Sequence, residues 1–117
     1  MKTHKDLIAW QKSIDLVTEV YKITKRFPKE ETYGLVNQLR RAAVSVPSNI
    51  AEGAARFSKR EFCHFLYISL GSAAELETQF IISRNLDYFK ADTSEKLIIQ
   101  LSEIRRTIIG LLSSLKD

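Results

Sequence analysis

Residues 34–53 read Gly-Leu-Val-Asn-Gln-Leu-Arg-Arg-Ala-Ala-Val-Ser-Val-Pro-Ser-Asn-Ile-Ala-Glu-Gly. Apolar residues recur in this stretch every three or four positions, which is the spacing that places side chains on one face of an α-helix. An apolar face of this kind has to be buried against other parts of the chain. The stretch therefore predicts a central packing helix, whose buried face comprises Leu35, Leu39, Ala42, Ala43, Val46 and Ile50.

Polar residues follow the same period on a neighbouring face, since successive helical positions are about 100° apart. Pro47 interrupts this helix, because proline lacks the N–H that would bond to the carbonyl of Ala43, at about 3 kcal/mol in a helix interior. We expect a kink there, with Ser and Asn side chains satisfying the freed backbone groups. One interpretation is that this helix is kinked and has no role other than to pack against the rest of the core. The other makes the polar stripe a subunit interface or a buried polar network, formed by Gln38, Arg41, Ser45, Ser48, Asn49 and Glu52.

A first helix is predicted upstream, from about Asp6 to Arg26. Its apolar residues step alternately by three and four positions, as in a coiled-coil seam. Phe27-Pro28 ends this helix, because proline disfavours helical geometry in the residue before it. The predicted seam comprises Leu7, Trp10, Ile14, Val17, Tyr21 and Thr24.

A third helix is predicted to begin after Ser58. Ser58 and Glu61 have the spacing of a capping box, in which each side chain bonds to the other residue's backbone amide. Phe57 and Phe62 occupy the flanking positions of a hydrophobic staple. The seam that follows comprises Phe62, Leu66, Ser69, Ala73, Leu76 and Phe80.

The fourth helix has the most regular apolar pattern in the chain. Asp92 and Glu95 suggest a second capping box at its start. Its predicted buried face comprises Leu97, Leu101, Ile104, Ile108, Leu111 and Leu115. Because the four helices are joined by short connectors, neighbouring helices should run antiparallel. We predict an all-α fold with one domain, residues 1–117: an antiparallel up-down-up-down, left-handed four-helix bundle with a Pro47 kink in the second helix.

Length and composition fit a small helical protein. The chain has 117 residues, of which 44% are hydrophobic, and it contains only four glycines and two prolines. We expect no signal peptide and no membrane partner, because no apolar run approaches the ~20 residues of a membrane span. A single cysteine, Cys63, suits a reducing compartment, so we expect a cytoplasmic protein.

Net charge is +4 and unevenly spread along the chain. Residues 1–60 contain 12 Lys and Arg against 6 Asp and Glu, whereas residues 61–117 contain 6 against 8. A basic half favours an acidic partner such as nucleic acid. The candidate nucleic-acid-binding residues are Arg40, Arg41, Arg56, Lys59, Arg60, Arg105 and Arg106; a solvated basic face is the alternative interpretation.

A metal or catalytic site is not indicated. Glu61 and His64 have the Glu-x-x-His spacing of di-iron bundles, but those sites need a second such motif and two more carboxylates. His4 lies before the first helix, and Cys63 and His64 point about 100° apart on a helix, which makes a poor nucleophile–base pair. We predict no catalytic residues, no metal ligands and no cofactor.

The central stretch also resembles a known family. Residues 38–53 look like the signature of the four-helix bundle proteins encoded in intervening sequences of 23S ribosomal RNA genes. The similarity covers nearly the whole chain, through residues 10–12, 27–35, 58, 61–62, 65–66 and 71–79. The resemblance implies a bacterial protein with a link to ribosomal RNA.

A related branch of that family resembles the accessory protein of diversity-generating retroelements, a basic pentameric bundle that binds RNA and reverse transcriptase. This likeness implies a homo-oligomer, with five subunits, and structured RNA, ribosomal RNA or a reverse transcriptase as partners. The leading hypothesis is a non-catalytic, RNA-associated oligomeric bundle. The alternative is a protein–protein adaptor or scaffold with no nucleic-acid role, and RNA binding that falls steeply with salt would separate the two.

Overall fold

The computed structural model describes residues 3–116, and Met1, Lys2 and Asp117 lie outside the described residues. Four α-helices account for most of residues 3–116, and no strand occurs among them. This architecture confirms the predicted all-α, four-helix fold class. The helices are α1 (Ile8–Thr24), α2 (Leu35–Ala54), α3 (Lys59–Asn85) and α4 (Ala91–Leu115), and single-turn 3-10 helices occupy His4–Asp6 and Lys29–Glu31.

Each long helix packs against two others. Helix α2 contacts α1 and α3, and α4 also contacts α1 and α3, with the most extensive contact between α2 and α3. The resulting body measures 45 × 24 × 20 Å. Among the described residues, no helix is apolar over a stretch long enough to cross a membrane.

The predicted apolar faces of α2, α3 and α4 form the core. All six residues of the α2 face are buried, and so are all six of the α3 seam. Leu101 and Ile108 of α4 are 1% and 0% exposed, while Leu111 and Leu115 at its C-terminal end are half-buried beside the buried Leu112. Helical periodicity therefore predicted the buried faces of α2 and α3 and that of α4 as far as Ile108, but it was wrong at the end of α4, where Leu112 is buried in place of Leu111 and Leu115.

The predicted seam of α1 was wrong in part. Ile14 is 38% exposed and Tyr21 is 39% exposed, whereas Ser13 is buried. The buried face is offset by about one position and comprises Ala9, Ser13, Leu16, Val20 and Thr24. The Ser13 hydroxyl donates a hydrogen bond to the Ala9 carbonyl, so a small polar side chain enters the core without an unsatisfied group.

The start of α3 was predicted only in part. The Ser58 hydroxyl accepts a hydrogen bond from the backbone N–H of Glu61 at 3.3 Å, as expected of an N-cap. The Glu61 carboxylate, however, lies 3.7 Å from the guanidinium of Arg56. Phe57 is 97% exposed, so the predicted staple with Phe62 does not form.

The predicted Asp92–Glu95 capping box was wrong. Helix α4 begins at Ala91, with Lys90 at the N-cap position, so Asp92 already lies inside the first turn. The Asp92 carboxylate accepts a hydrogen bond from the backbone N–H of Thr93 at 2.9 Å. A carboxylate in the first helical turn also complements the helix dipole, which gives Asp92 a stabilising role without a box.

Pro47 lies inside α2 and is buried, and the helix continues beyond it to Ala54. Two side chains donate hydrogen bonds to backbone carbonyls beside the proline. Asn49 donates to the Ser45 carbonyl at 2.8 Å, and Ser69 of α3 donates to the Val46 carbonyl at 2.9 Å. Polar side chains therefore support the backbone around Pro47, and the kink itself stays a prediction.

An aromatic cluster joins the connectors at one end of the bundle. Phe27 packs against Tyr88 and Phe89, with ring centroids 5.3 and 5.9 Å apart. The Tyr88 hydroxyl donates a 2.7 Å hydrogen bond to the Glu31 carboxylate, and this bond raises the pKa of Tyr88. These contacts hold the α1–α2 connector against the α3–α4 connector.

Candidate nucleic-acid interface

The structure divides the seven predicted nucleic-acid-binding residues among three places. Arg40 and Arg41 lie in the first half of α2, whereas Arg56, Lys59 and Arg60 lie where α2 turns into α3. The two groups are separated along α2 by about 20 Å, at 1.5 Å per residue. The third group lies on α4. The seven residues therefore do not form one patch.

Arg40 is engaged in holding α2 against α1. Its Nε donates a 2.9 Å hydrogen bond to the hydroxyl of Thr24, and its guanidinium lies 4.5 Å from the centroid of the Tyr21 ring. A half-buried arginine with a ring contact and a directed hydrogen bond is anchored in the fold. We therefore assign Arg40 a structural role.

The α4 arginines contact other side chains along the helix surface. Arg105 lies 3.4 Å from the Glu77 carboxylate of α3, and Arg106 donates a 3.3 Å hydrogen bond to the Ser102 hydroxyl. The Arg105–Glu77 pair is partly exposed, and such pairs contribute little to stability. Of the two, Arg106 is the more exposed.

The turn between α2 and α3 brings three cations together; we call Arg56, Phe57, Lys59 and Arg60 the turn surface. Arg56 pairs with Glu52 at 2.7 Å, a contact between positions i and i+4 of the kind that helical spacing allows. Its guanidinium also lies 5.2 Å from the centroid of the Phe65 ring. Lys59 and Arg60 occupy the first turn of α3 and are exposed.

Phe57 is the residue that sequence reasoning assigned wrongly. Its backbone is in the left-handed region, with φ at 56°, and its ring is 97% exposed. The left-handed conformation costs a residue with a side chain about 1–2 kcal/mol. The fold thus holds an aromatic ring out in solvent on a strained backbone, with no burial to offset the strain. The sequence feature that could have indicated an exposed ring at a binding surface is a Phe followed directly by an N-cap Ser and two cations.

An apolar cavity of about 510 Å³ lies beside this ring. Apolar groups of both helices contribute to its wall, including Ala54 of α2 and Phe62 of α3. Leu115, at the end of α4, closes it on another side. Phe57 and Lys59 both border the cavity, so an aromatic ring and a cation flank one apolar recess.

Gly53 allows the close approach of α2 and α3 that builds this end of the molecule. A Cβ at position 53 would lie 2.8 Å from the Cβ of Phe65 and 3.0 Å from Cδ1 of Phe62. Contacts that short require the backbone of one helix to move. The glycine is therefore a steric requirement of the α2–α3 turn.

The predicted polar stripe of α2 is divided between two environments. Ser45 and Asn49 take part in a half-buried network, in which the Ser45 hydroxyl is 2.8 Å from that of Ser72 and Asn49 donates to Ser45 at 2.9 Å. Ser48 is exposed, and Glu52 pairs with Arg56 as described above.

A polar groove lies beside this network, between α2 and α3. Gln38 and Arg41 line it from α2, and Glu75 and Gln79 line it from α3. Gln79 is only 8% exposed, and its Oε1 has no hydrogen-bond partner among residues 3–116. The exposed groups of this groove are the side chains of Gln38, Arg41 and Glu75, which supply both donors and acceptors.

Comparisons with known proteins identify the family of this chain. The family model described as 23S rRNA-intervening sequence protein matches residues 5–110. The chain belongs to this family. A solved relative is described as a protein with unknown function from the S23 ribosomal protein family of Bacteroides thetaiotaomicron VPI-5482. Its TM-score is 0.81 at 21% identity, with 90% of this chain and 98% of that chain covered, and the likeness bears on the fold alone. No curated protein matches the chain.

In this 23S rRNA-intervening sequence family member, the residues considered for chemistry are Glu61, Cys63 and His64 in the first turns of α3 and His4 in the first 3-10 helix. Within residues 3–116, no three His, Cys, Asp or Glu side chains come together as a possible metal site. Cys63 is a half-buried free thiol, and the exposed His64 makes an edge contact with the Phe65 ring.

Proposed function

We propose that this chain is a non-catalytic, RNA-associated helical bundle that binds the RNA backbone through the turn surface and works as a cytoplasmic homo-oligomer. The observation that carries the proposal is the pair Lys59 and Arg60 in the first turn of α3. Cations at a helix N-terminus oppose its dipole, so helix stabilisation does not account for these two residues. A group of exposed cations at one turn is suited to an anionic partner, and family membership favours RNA.

Binding at this surface is mainly electrostatic. Arg56 is partly compensated by Glu52 and Glu61, and the side chains of Lys59 and Arg60 are exposed in the first turn of α3. Lys and Arg that approach phosphates release condensed counterions, which makes affinity fall with salt. Phosphate contacts position the RNA without reading its sequence. Arg105 and Arg106 are secondary contacts that the RNA reaches only if it extends along the helices.

Oligomerisation is proposed through the polar groove. Its exposed lining by Gln38, Arg41 and Glu75 offers donors and acceptors to a second copy. The resemblance to the pentameric accessory protein of diversity-generating retroelements favours five subunits. A ring of subunits repeats the turn surface, which multiplies the phosphate contacts to one RNA.

The alternative function is a protein–protein adaptor with no nucleic-acid role, for which a reverse transcriptase is the partner that the resemblance suggests. One observation favours it. Ile81, Ile82 and Leu86, near the C-terminal end of α3, are 37%, 42% and 49% exposed, which is an apolar group suited to a protein surface.

Salt dependence of RNA binding tests the proposal. We would measure the affinity for a labelled single-stranded RNA by fluorescence anisotropy between 50 and 300 mM salt. Changing Arg56, Lys59 and Arg60 together to Gln should flatten the log–log slope by about two, because each phosphate contact to a single strand contributes about 0.7. An oligomer multiplies this change by the number of subunits that the RNA engages.

The matched control removes three cations at the opposite end of the molecule, by changing Lys22, Lys25 and Arg26 to Gln. It alters net charge equally, so it reports any non-specific effect of charge alone. The proposal expects a much smaller change of slope in this control. No binding by the wild type at low salt, or equal changes in both triple variants, would favour the adaptor.

A further inference from the structure

The ring of Phe57 is exposed, and no aromatic or cation–π contact holds it among residues 3–116. Its exposure of 97% contrasts with Phe27, Phe62 and Phe80, which are 7%, 8% and 1% exposed. Its left-handed backbone conformation is strained, and an exposed ring gains no packing energy that would offset this strain. Strain of this kind persists where the surrounding structure imposes it, and it is concentrated at ligand sites.

The surroundings of the ring identify the chemistry of its ligand. Arg56 and Lys59 lie on either side of Phe57 and Ser58 in sequence, Arg60 follows, and the apolar cavity lies beside the ring. An aromatic ring next to an apolar recess, with Lys59 on the border of that recess and Arg56 and Arg60 within three positions in the sequence, combines a surface for a flat apolar group with contacts for anions. A nucleotide with its base unstacked has both parts, a π face and a phosphate.

We propose that Phe57 is a stacking platform for an unpaired base of single-stranded RNA, whose flanking phosphates contact Arg56, Lys59 and Arg60. This inference rests on the proposed RNA binding and adds the form of RNA that is bound. In duplex RNA the base faces are stacked inside the helix, where a ring protruding from a turn does not reach them. Single-stranded segments, loops and bulges are therefore the preferred ligands.

Phe57→Ala and Phe57→Tyr test the platform, with a 12-nucleotide oligouridine and a blunt RNA duplex of equal length as probes. Loss of one stacked base should weaken oligouridine binding about 5- to 150-fold in Phe57→Ala. Phe57→Tyr should keep most of the affinity, since it retains the ring. The salt slope should not change in either variant, because the phosphate contacts remain.

Tyr33→Ala is the matched control. Tyr33 is 95% exposed, but it follows Glu30 and Glu31 in the α1–α2 connector, where carboxylates disfavour RNA. Its removal deletes an exposed ring of similar size and should leave oligouridine affinity unchanged.

The outcomes separate this inference from the proposed function. If the wild type binds neither probe at low salt, the proposed function and the platform both fail. If it binds RNA with a steep salt slope but Phe57→Ala binds oligouridine as tightly as wild type, only the platform fails. Equal affinity for duplex and single strand also overturns it. So does a Phe57→Ala variant that changes oligomeric state by light scattering with unaltered RNA affinity, because the ring is then a subunit contact.

Discussion

At the scale of single residues, whether a side chain is accessible to a ligand depends on its contacts in the fold and not on its residue type. Arg40 and Arg41 are adjacent in sequence, yet Arg40 bonds to Thr24 and packs over Tyr21 while Arg41 faces the polar groove. Phe57 and Phe62 are both aromatic residues at the start of α3, yet one is exposed and the other is buried. These differences determine which residues remain accessible to a ligand.

The strain at Phe57 leads to a prediction about stability. Phe57→Gly should leave the free energy of unfolding unchanged or raise it by up to about 1 kcal/mol, because glycine adopts the left-handed conformation without steric cost. The greater chain entropy of glycine in the unfolded state offsets part of that gain. Urea denaturation followed by circular dichroism measures the change.

Ala55→Gly is the control for this measurement. Ala55 caps α2 with φ at −76°, a conformation that carries no left-handed strain. Its replacement should therefore lower the free energy of unfolding, by about 0.5–1 kcal/mol. A comparable loss in Phe57→Gly would show that the ring contributes to folding after all, and that the strain argument is wrong.

At the scale of elements, the approach of α2 to α3 determines the shape of the candidate site. The two helices meet through Gly53 at one point and through the Ser45–Ser72 contact further along. Small residues at both points let the backbones come close, and a direct hydrogen bond replaces bulky packing. The turn surface is held by this helix pair, so its position depends on the Gly53 contact.

Gly53→Ala should destabilise the fold by about 1–3 kcal/mol, since the new methyl group would overlap Phe65 and Phe62. Gly71→Ala is a matched substitution in α3, where an added Cβ meets nothing within 4 Å. It should stabilise the protein by about 0.5–1 kcal/mol, because alanine is the better helix former. Thermal and urea unfolding of the two variants give the comparison, and equal effects would refute the steric role of Gly53.

At the scale of the whole molecule, polar and apolar surfaces are distributed over different faces. The polar groove lies between α2 and α3, the turn surface lies at one end, and the aromatic connector cluster lies at the other. The proposed functions of these surfaces are compatible, because subunits that join through the groove leave the turn surface available to RNA.

We expect the protein to be a homo-oligomer, with pentamers as the first expectation, when measured by multi-angle light scattering. Arg41→Glu should weaken assembly by placing a second carboxylate near Glu75, whereas Lys96→Glu on α4 should not. A monomer at high micromolar wild-type concentration would contradict the oligomer proposal. An assembly unaffected by Arg41→Glu would place the interface elsewhere.

The sequence by itself determined the number and type of the helices, the buried faces of α2 and α3, and the buried face of α4 as far as Ile108. These features follow from local periodicity: Leu39, Leu66 and Leu101 each repeat with large apolar neighbours on one helical face, and only that face can be removed from water. The Ser58 cap and the Glu52–Arg56 pair were predictable for the same reason, since both join residues within four positions.

Tertiary structure decided what depends on residues far apart in the chain. Ser13 replaces Ile14 in the core because its hydroxyl is satisfied within α1. Arg40 does not belong to the candidate site, because its guanidinium contacts Tyr21 and Thr24 of α1. Phe57 lies in the turn that follows the close contact at Gly53, and its ring is exposed instead of packing against Phe62. Periodicity states which face a helix can bury, but the neighbours that are present, and the space they leave, select the side chains that are buried and those that remain exposed.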